Sequence, residues 1–207
     1  MCIIFKILQM SKIGKSERTR NEILDAAWEM ISTQGADISL SKIAGAVGVT
    51  RQSIYVHFGS RGGLLVALVR RADERAGIEA KFQQALATEA AEARLAAFLD
   101  VWFRFVPVIY PVAKDLVRLR STDAEAFAAW EDRMTDLRRA FGLLTKSLRK
   151  DKALASHWTA PRAAEFMWAS SSVESWGLLT VDCGWSAAQA ANAITQSMAR
   201  AILIHSS

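Results

Sequence analysis

The sequence predicts an all-α protein, built as a small N-terminal helix-turn-helix module followed by a larger helical domain. Three observations predict it. Only three prolines and eleven glycines interrupt 207 residues, so long helices are permitted. Alanine is abundant and apolar residues recur at helical spacing, while the two-residue alternation of a half-buried strand is almost absent. Third, the stretch 39–58, SLSKIAGAVGVTRQSIYVHF, holds two short helix-like runs around a glycine. The second run is polar at its start and aromatic at its end.

The composition sets the bounds. With 51% hydrophobic residues the chain can bury one sizeable core or two smaller ones. The net charge of +5 and pI near 9.5 are compatible with a nucleic-acid or other anionic partner without establishing one. Cys2 and Cys183 form no motif and read as free thiols of a reducing compartment, which places the protein in the cytoplasm. The opening MCIIFKILQM is too short for a membrane span, lacks the cleavage pattern of a signal peptide, and reads as an extension upstream of Met10. No other stretch is expected to cross a bilayer.

Taken in order, residues 1–16 are expected as a flexible extension, 17–62 as the helix-turn-helix module and 63–207 as the second domain. In TRNEILDAAWEMISTQG, Ile23, Ala27, Met30 and Ile31 share a helical face, and Gly35 is placed to end that helix in a left-handed conformation. Ser39 is the N-cap of the next helix, whose stripe is Leu40, Ile43, Ala44 and Val47. Gly48 marks a turn, Thr50 caps RQSIYVHF, and Ser60 caps RGGLLVALVRRADERAGIEAKF. Amphipathic runs follow at about 89–106, 108–120, 123–150, 161–181 and 186–204. Pro107 and Pro111 are expected to kink or end a helix, Pro161 to open one, and Gly184 to separate the last two runs.

A helix, a tight glycine turn and a second helix make a helix-turn-helix, whose second helix presents its N-terminal residues to base edges in the major groove. Ile54 and Phe58, four apart, anchor that helix and leave Arg51, Gln52, Ser53, Tyr55 and His57 to face elsewhere. Arginine suits the paired acceptors of guanine, and glutamine suits adenine. Ser39, Thr50 and Tyr55 can donate to phosphates. The module is only slightly more basic than acidic, so placement carries this inference more than charge does.

These residues carry a family resemblance. TRNEILDAAWEMISTQG followed by SLSKIAGAVGVTRQSIYVHFGSRGGLL resembles the N-terminal domain of the TetR family of transcriptional regulators over about residues 17–75. The resemblance implies a dimeric all-α regulator, usually a repressor, that binds a palindromic double-stranded operator and releases it when a small effector binds the C-terminal domain. It implies phosphate contacts at Ser39 and Thr50, backbone contacts at Tyr55 and His57, and base reading by Arg51, Gln52 and Ser53. Lys42 lies on the bracing helix, and Arg61 stands where the family usually has lysine. One departure is Gly62-Gly63, where the family carries better helix formers. Each costs about 1 kcal/mol against alanine in a helix interior, which makes the site either a hinge or a local weakness.

In the second domain, FLDVWFRFVPVIYP is dense in aromatics beside two prolines. Trp102, Phe103, Phe105 and Tyr110, with Trp130, Trp168 and Trp176, are the candidate walls of a pocket for an apolar or aromatic effector, and Phe141 and Phe166 can complete it. Taken singly, aromatics at helical spacing are usually core. Arg104, Glu165 and Glu174 are nearby charges. The last two runs carry small residues (Ala169, Ser172, Ala187 and Ala191) and large ones (Ile194 and Met198) that suit packing against a symmetric copy in a homodimer. No catalytic set, cofactor motif or metal-ligand spacing is present, since His57, His157 and His205 stand apart from one another and from any cysteine or carboxylate partner. A helical ligand-binding or interaction protein, or an enzyme in the aromatic domain with a non-functional N-terminal module, are the alternative readings.

Overall fold

The structure is a computed structural model that describes residues 3–34 and 38–204. The described residues form ten α-helices, one π-helical turn and an isolated bridge pairing Leu154 with Leu203. The first helix, α1 (Ile3–Gln34), begins ahead of the expected module start at residue 17 and is continuous through it. The left-handed glycine expected at Gly35 lies outside the described residues, as does Cys2.

The module assembles as its sequence directs. In α1, Ile23, Leu24, Ala27 and Ile31 are buried; in α2 (Leu40–Ala46), Leu40, Ile43 and Ala44; in α3 (Arg51–Phe58), Ile54 and Phe58. Burying one such side chain contributes about 1.5–3 kcal/mol, so these few contacts hold two helices of only seven and eight residues that would not persist alone. Ser39 and Thr50 cap as expected: their hydroxyl oxygens accept from the Lys42 amide at 3.2 Å and the Ser53 amide at 3.1 Å. Between α2 and α3 the chain reverses at Gly48, whose φ of 68° favours a residue without a Cβ.

The joint of the molecule is α4 (Arg61–Ala76), which packs on α1 and α3 on one side and on α6 and α7 on the other. Its first turn is helical and capped, with Ser60 Oγ accepting from the Gly63 amide at 3.0 Å. The structure supplies a reason for one of the two glycines. A Cβ at Gly62 would stand 2.5 Å from Ala126 Cβ and 2.8 Å from its Cα, so α4 and α7 cross too closely there for any side chain. The run expected to continue to Phe82 instead stops at Gly77, left-handed at φ 60°, and resumes as α5 (Ile78–Leu86).

Around this joint lies the larger helical part. The long α6 (Ala91–Leu119) is its axis, with α5, α7 (Ala124–Lys150), α9 (Val173–Gly177) and α10 (Ala187–Ile202) against it and α8 (Ala160–Ser170) against α7. The expected break at Pro107 does not occur: both Pro107 and Pro111 lie inside α6. Each removes one backbone hydrogen bond, at about 3 kcal/mol or more, and burial of the helix's apolar face, including Phe98, Leu99, Val106 and Val112, outweighs that loss. Contrary to the expectation that no internal stretch would do so, α6 is long and apolar enough to span a bilayer by length and composition; here it is the core helix. The run 161–181 is divided by Ser172, which caps α9, and continues through a π-helical turn at Leu178–Asp182 before Gly184 ends it.

Candidate nucleic-acid interface and ligand cavity

Short side chains hold the start of α3, and its exposed face is ordered within itself. The Thr50 and Ser53 hydroxyls lie 3.0 Å apart. Arg51 Nη2 donates to Tyr55 Oη at 2.8 Å, with the guanidinium 5.4 Å from the Tyr55 ring centre. Arg51 and Tyr55, four apart on one face, are therefore one unit, and the phenol O–H stays free to donate outward. Gln52 is exposed. On its face, four residues on, stands Val56, 75% exposed, which the sequence reading passed over. Its signal was there: an apolar residue between the buried Ile54 and Phe58 that cannot share their face. Lys42 Nζ donates to Gln34 Oε1 at 2.6 Å, tying α2 to α1. His57 turns to the groove between α1, α3 and α4, about 590 Å3 in volume, with Arg20, Arg70, Arg71 and Arg75 around it.

Arg61, expected to approach DNA, is instead turned into the protein. Its Nη1 donates to Ile38 O at 2.6 Å, and its Nη2 meets Asp115 Oδ2 at 3.0 Å. Asp115, on α6 and only 3% exposed, also receives Arg118 at 2.6 Å. A buried carboxylate needs such donors, and arginine's planar fork reaches two acceptors where lysine presents a point charge. The pair joins α6 to the segment just ahead of α2.

A second cavity, of about 550 Å3, lies among α4, α5, α6 and α7. Trp102, Phe105 and Trp130 line it as expected, together with Phe82, Ile109 and Leu116. Trp102 meets its own polar need by donating Nε1–H to Ser171 O at 2.8 Å. The other aromatic candidates are not on its wall: Phe103 stacks on Trp176 at 5.7 Å, Tyr110 abuts Gly177, and Trp168 lies under Arg138 at 4.0 Å. Helix geometry explains the split. Trp102, Phe105, Ile109 and Leu116 follow one face of α6, and Phe103 and Tyr110, seven apart, follow the next.

One end of this cavity is charged, with Asp73, Glu74, Glu79, Arg133, Asp136 and Arg139 on its wall. Arg133 is shared among Asp73 at 3.2 Å, Asp132 at 3.2 Å and Asp136, and Arg139 also bonds Asp136. Burial pushes the Asp73 carboxyl up to about 6 against the opposing pull of Arg133, with Asp136 and Glu74 adding to the rise. Arg104, Glu165 and Glu174, the charges singled out from sequence, are not among the cavity's lining residues.

The dimer candidates divide. Ala169 and Ala187 are exposed, and Ala191 and Ser172 half-buried, with Ser172 Oγ accepting from the Ser175 amide at 3.1 Å. Ile194 and Met198 are not surface residues: both are buried within the protomer, with Ala190 and Ile202, on the inner face of α10. The exposed apolar side chains nearby are Leu178, Val181, Trp185 and Phe166.

Comparison with known proteins fits the α1–α4 geometry. The sequence profile of the bacterial regulatory proteins, tetR family, matches residues 23–68. The HTH-type transcriptional regulator SrpR of Pseudomonas putida is 38% identical over 89 residues. Residues 23–68 match the N-terminal domain of the TetR family. The match to SrpR covers 42% of this chain and 41% of that relative. The TetR-like fold extends further than the sequence likeness. A transcriptional regulator from Saccharomonospora viridis, solved in complex with choline, superposes over 91% of this chain and all of its own with a TM-score of 0.74 at 16% identity. The SmeT–triclosan complex gives 0.69 over 90% of this chain and 92% of its own, also at 16% identity.

Proposed function

We propose that this chain is a cytoplasmic DNA-binding transcriptional regulator of the TetR family that acts as a homodimer on a palindromic operator and is a repressor released by a small apolar or aromatic effector. One observation carries the reading: α3 is anchored by Ile54 and Phe58, capped by Thr50, and directs Arg51, Gln52 and Val56 away from the protein. Arg51 and Gln52 have the donor patterns that read guanine and adenine, and the Val56 methyls suit the methyl group of thymine. Ser39, Thr50, Ser53 and Tyr55 supply hydroxyls for phosphates, and Lys42 and His57 flank them. Leu178, Val181 and Trp185, with Ala169 and Ala187, are the exposed residues we assign to the partner protomer, since exposed apolar side chains of this kind mark association sites. The effector site is the cavity lined by Trp102, Phe105 and Trp130. The fold's likeness to proteins solved with choline and with triclosan supports a small-molecule ligand there.

The test is fluorescence anisotropy of the protein with duplex DNA from upstream of its own gene, against random-sequence duplex. Arg51→Ala should lose about 1–3 kcal/mol of specific affinity, relax base preference at one position per half-site, and leave random-sequence binding nearly unchanged. An equal loss on both duplexes would refute base reading by α3.

A further inference from the structure

We infer that the effector is a lipophilic cation, held by the aromatic wall of the α4–α7 cavity with its positive charge at the Asp73–Glu74–Glu79 end. This rests on the effector-cavity reading above and names the chemistry of its ligand. Four carboxylates and two guanidiniums line the cavity. Both guanidiniums are engaged by Asp136, and Arg133 is divided further between Asp73 and Asp132. Glu79 accepts only from Gln83, at 3.0 Å, and among the described residues neither Glu74 nor Glu79 pairs with a lysine or arginine. The negative charge at this end is therefore undercompensated.

The rest of the wall has the matching character. Trp102, Trp130, Phe82 and Phe105 line it, and aromatic side chains of this kind attract a cation electrostatically and bury its apolar substituents. The volume, about 550 Å3, is that of a site for a drug-sized molecule. An anion of the same size would meet the same rings and carboxylates, and the two arginines that would attract it are already engaged by Asp136. A neutral ligand would fill the aromatic wall and leave the excess charge unanswered. Burial raises Asp73 toward neutrality, and a cation beside it would favour the charged form instead.

The probes are tetraphenylphosphonium and tetraphenylborate, which share size and shape and differ in sign, and N-phenyl-1-naphthylamine as a neutral aromatic. Binding is measured on the DNA-free full chain by tryptophan quenching and by calorimetry. Tetraphenylphosphonium should bind about tenfold or more tighter than tetraphenylborate, a gap of about 1.4 kcal/mol or more. Glu74→Gln with Glu79→Gln, both at exposed positions, should narrow that ratio, and Arg139→Gln should widen it. On lowering the pH from about 7.5 to about 5, parent binding of the cation should weaken as Asp73 protonates, while Asp73→Asn should lose much of that dependence. The groups facing Asp73 are Glu74 on its own helix, Arg133 and Asp136 on α7, and Glu79 on α5 as a neighbour on the cavity wall. Tetraphenylborate binding as tightly as the cation overturns the inference. Binding of the neutral probe alone overturns it too while leaving the effector cavity in place. No binding by any probe overturns both.

Discussion

Gly62→Ala tests how the two halves of the molecule are joined. At this position α4 approaches α7 backbone to backbone: an added Cβ would lie 2.5 Å from Ala126 Cβ, 2.8 Å from its Cα and 2.9 Å from its amide nitrogen. Ordinary carbon contacts are about 3.5–4.0 Å, so the helices must part by roughly 1 Å. No rotamer change relieves a clash with backbone, and overpacking of this kind costs about 1–3 kcal/mol. Alanine's better helix propensity returns at most about 1 kcal/mol. A net loss of about 1–2 kcal/mol should lower Tm by about 2–8 °C in a chain of this size. Gly142→Ala is the control. It lies inside α7, a Cβ there meets nothing within 4 Å, and it should gain about 0.5–1 kcal/mol. The assay is calorimetric unfolding of both variants beside the parent, with operator affinity measured alongside. Displacing α4 from α7 should change operator affinity for Gly62→Ala and leave it unchanged for Gly142→Ala. If Gly62→Ala matches or exceeds the parent Tm, the close crossing does not constrain the joint and the reasoning fails.

Arg61→Ala should destabilise by about 3 kcal/mol because it leaves the buried Asp115 with Arg118 as its remaining arginine, and replacing Arg61 and Asp115 together by leucine should cost less. The dependence of DNA affinity on salt should stay unchanged in Arg61→Ala; a slope smaller by about one unit would instead put Arg61 on a phosphate. Asp73 takes up a proton more readily folded than unfolded, so its contribution to stability is largest at low pH and is lost as pH rises from about 4 to about 6. Asp73→Asn, which mimics the neutral form, should therefore flatten urea-measured stability across that window and raise it at pH 7 by about 2 kcal/mol. Leu178→Asp with Val181→Asp should give monomers by light scattering with little change in protomer stability, since both side chains are exposed. A charge at Ile194 or Met198 should unfold the chain, because both are buried in the protomer.

Sequence by itself determined the helical class, the caps at Ser39, Thr50 and Ser60, and the orientation of α3. Each is a local matter, set by a hydroxyl within three residues of an amide or by apolar spacing of four. Tertiary structure decided the rest, because the deciding partner lies far along the chain. Arg61 reads as one more basic residue of a DNA-binding module until Asp115, 54 residues on, claims it. The double glycine reads as a hinge or a local weakness until Ala126 supplies a reason for Gly62. Pro107 and Pro111 predict a break that packing on both sides of α6 overrides. The aromatics of α6 read as one wall, although Trp102 and Phe105 face the cavity while Phe103 turns to Trp176. Ile194 and Met198 have the right spacing for an interface, but periodicity marks a buried face without saying which chain buries it, and here it is the protomer's own core.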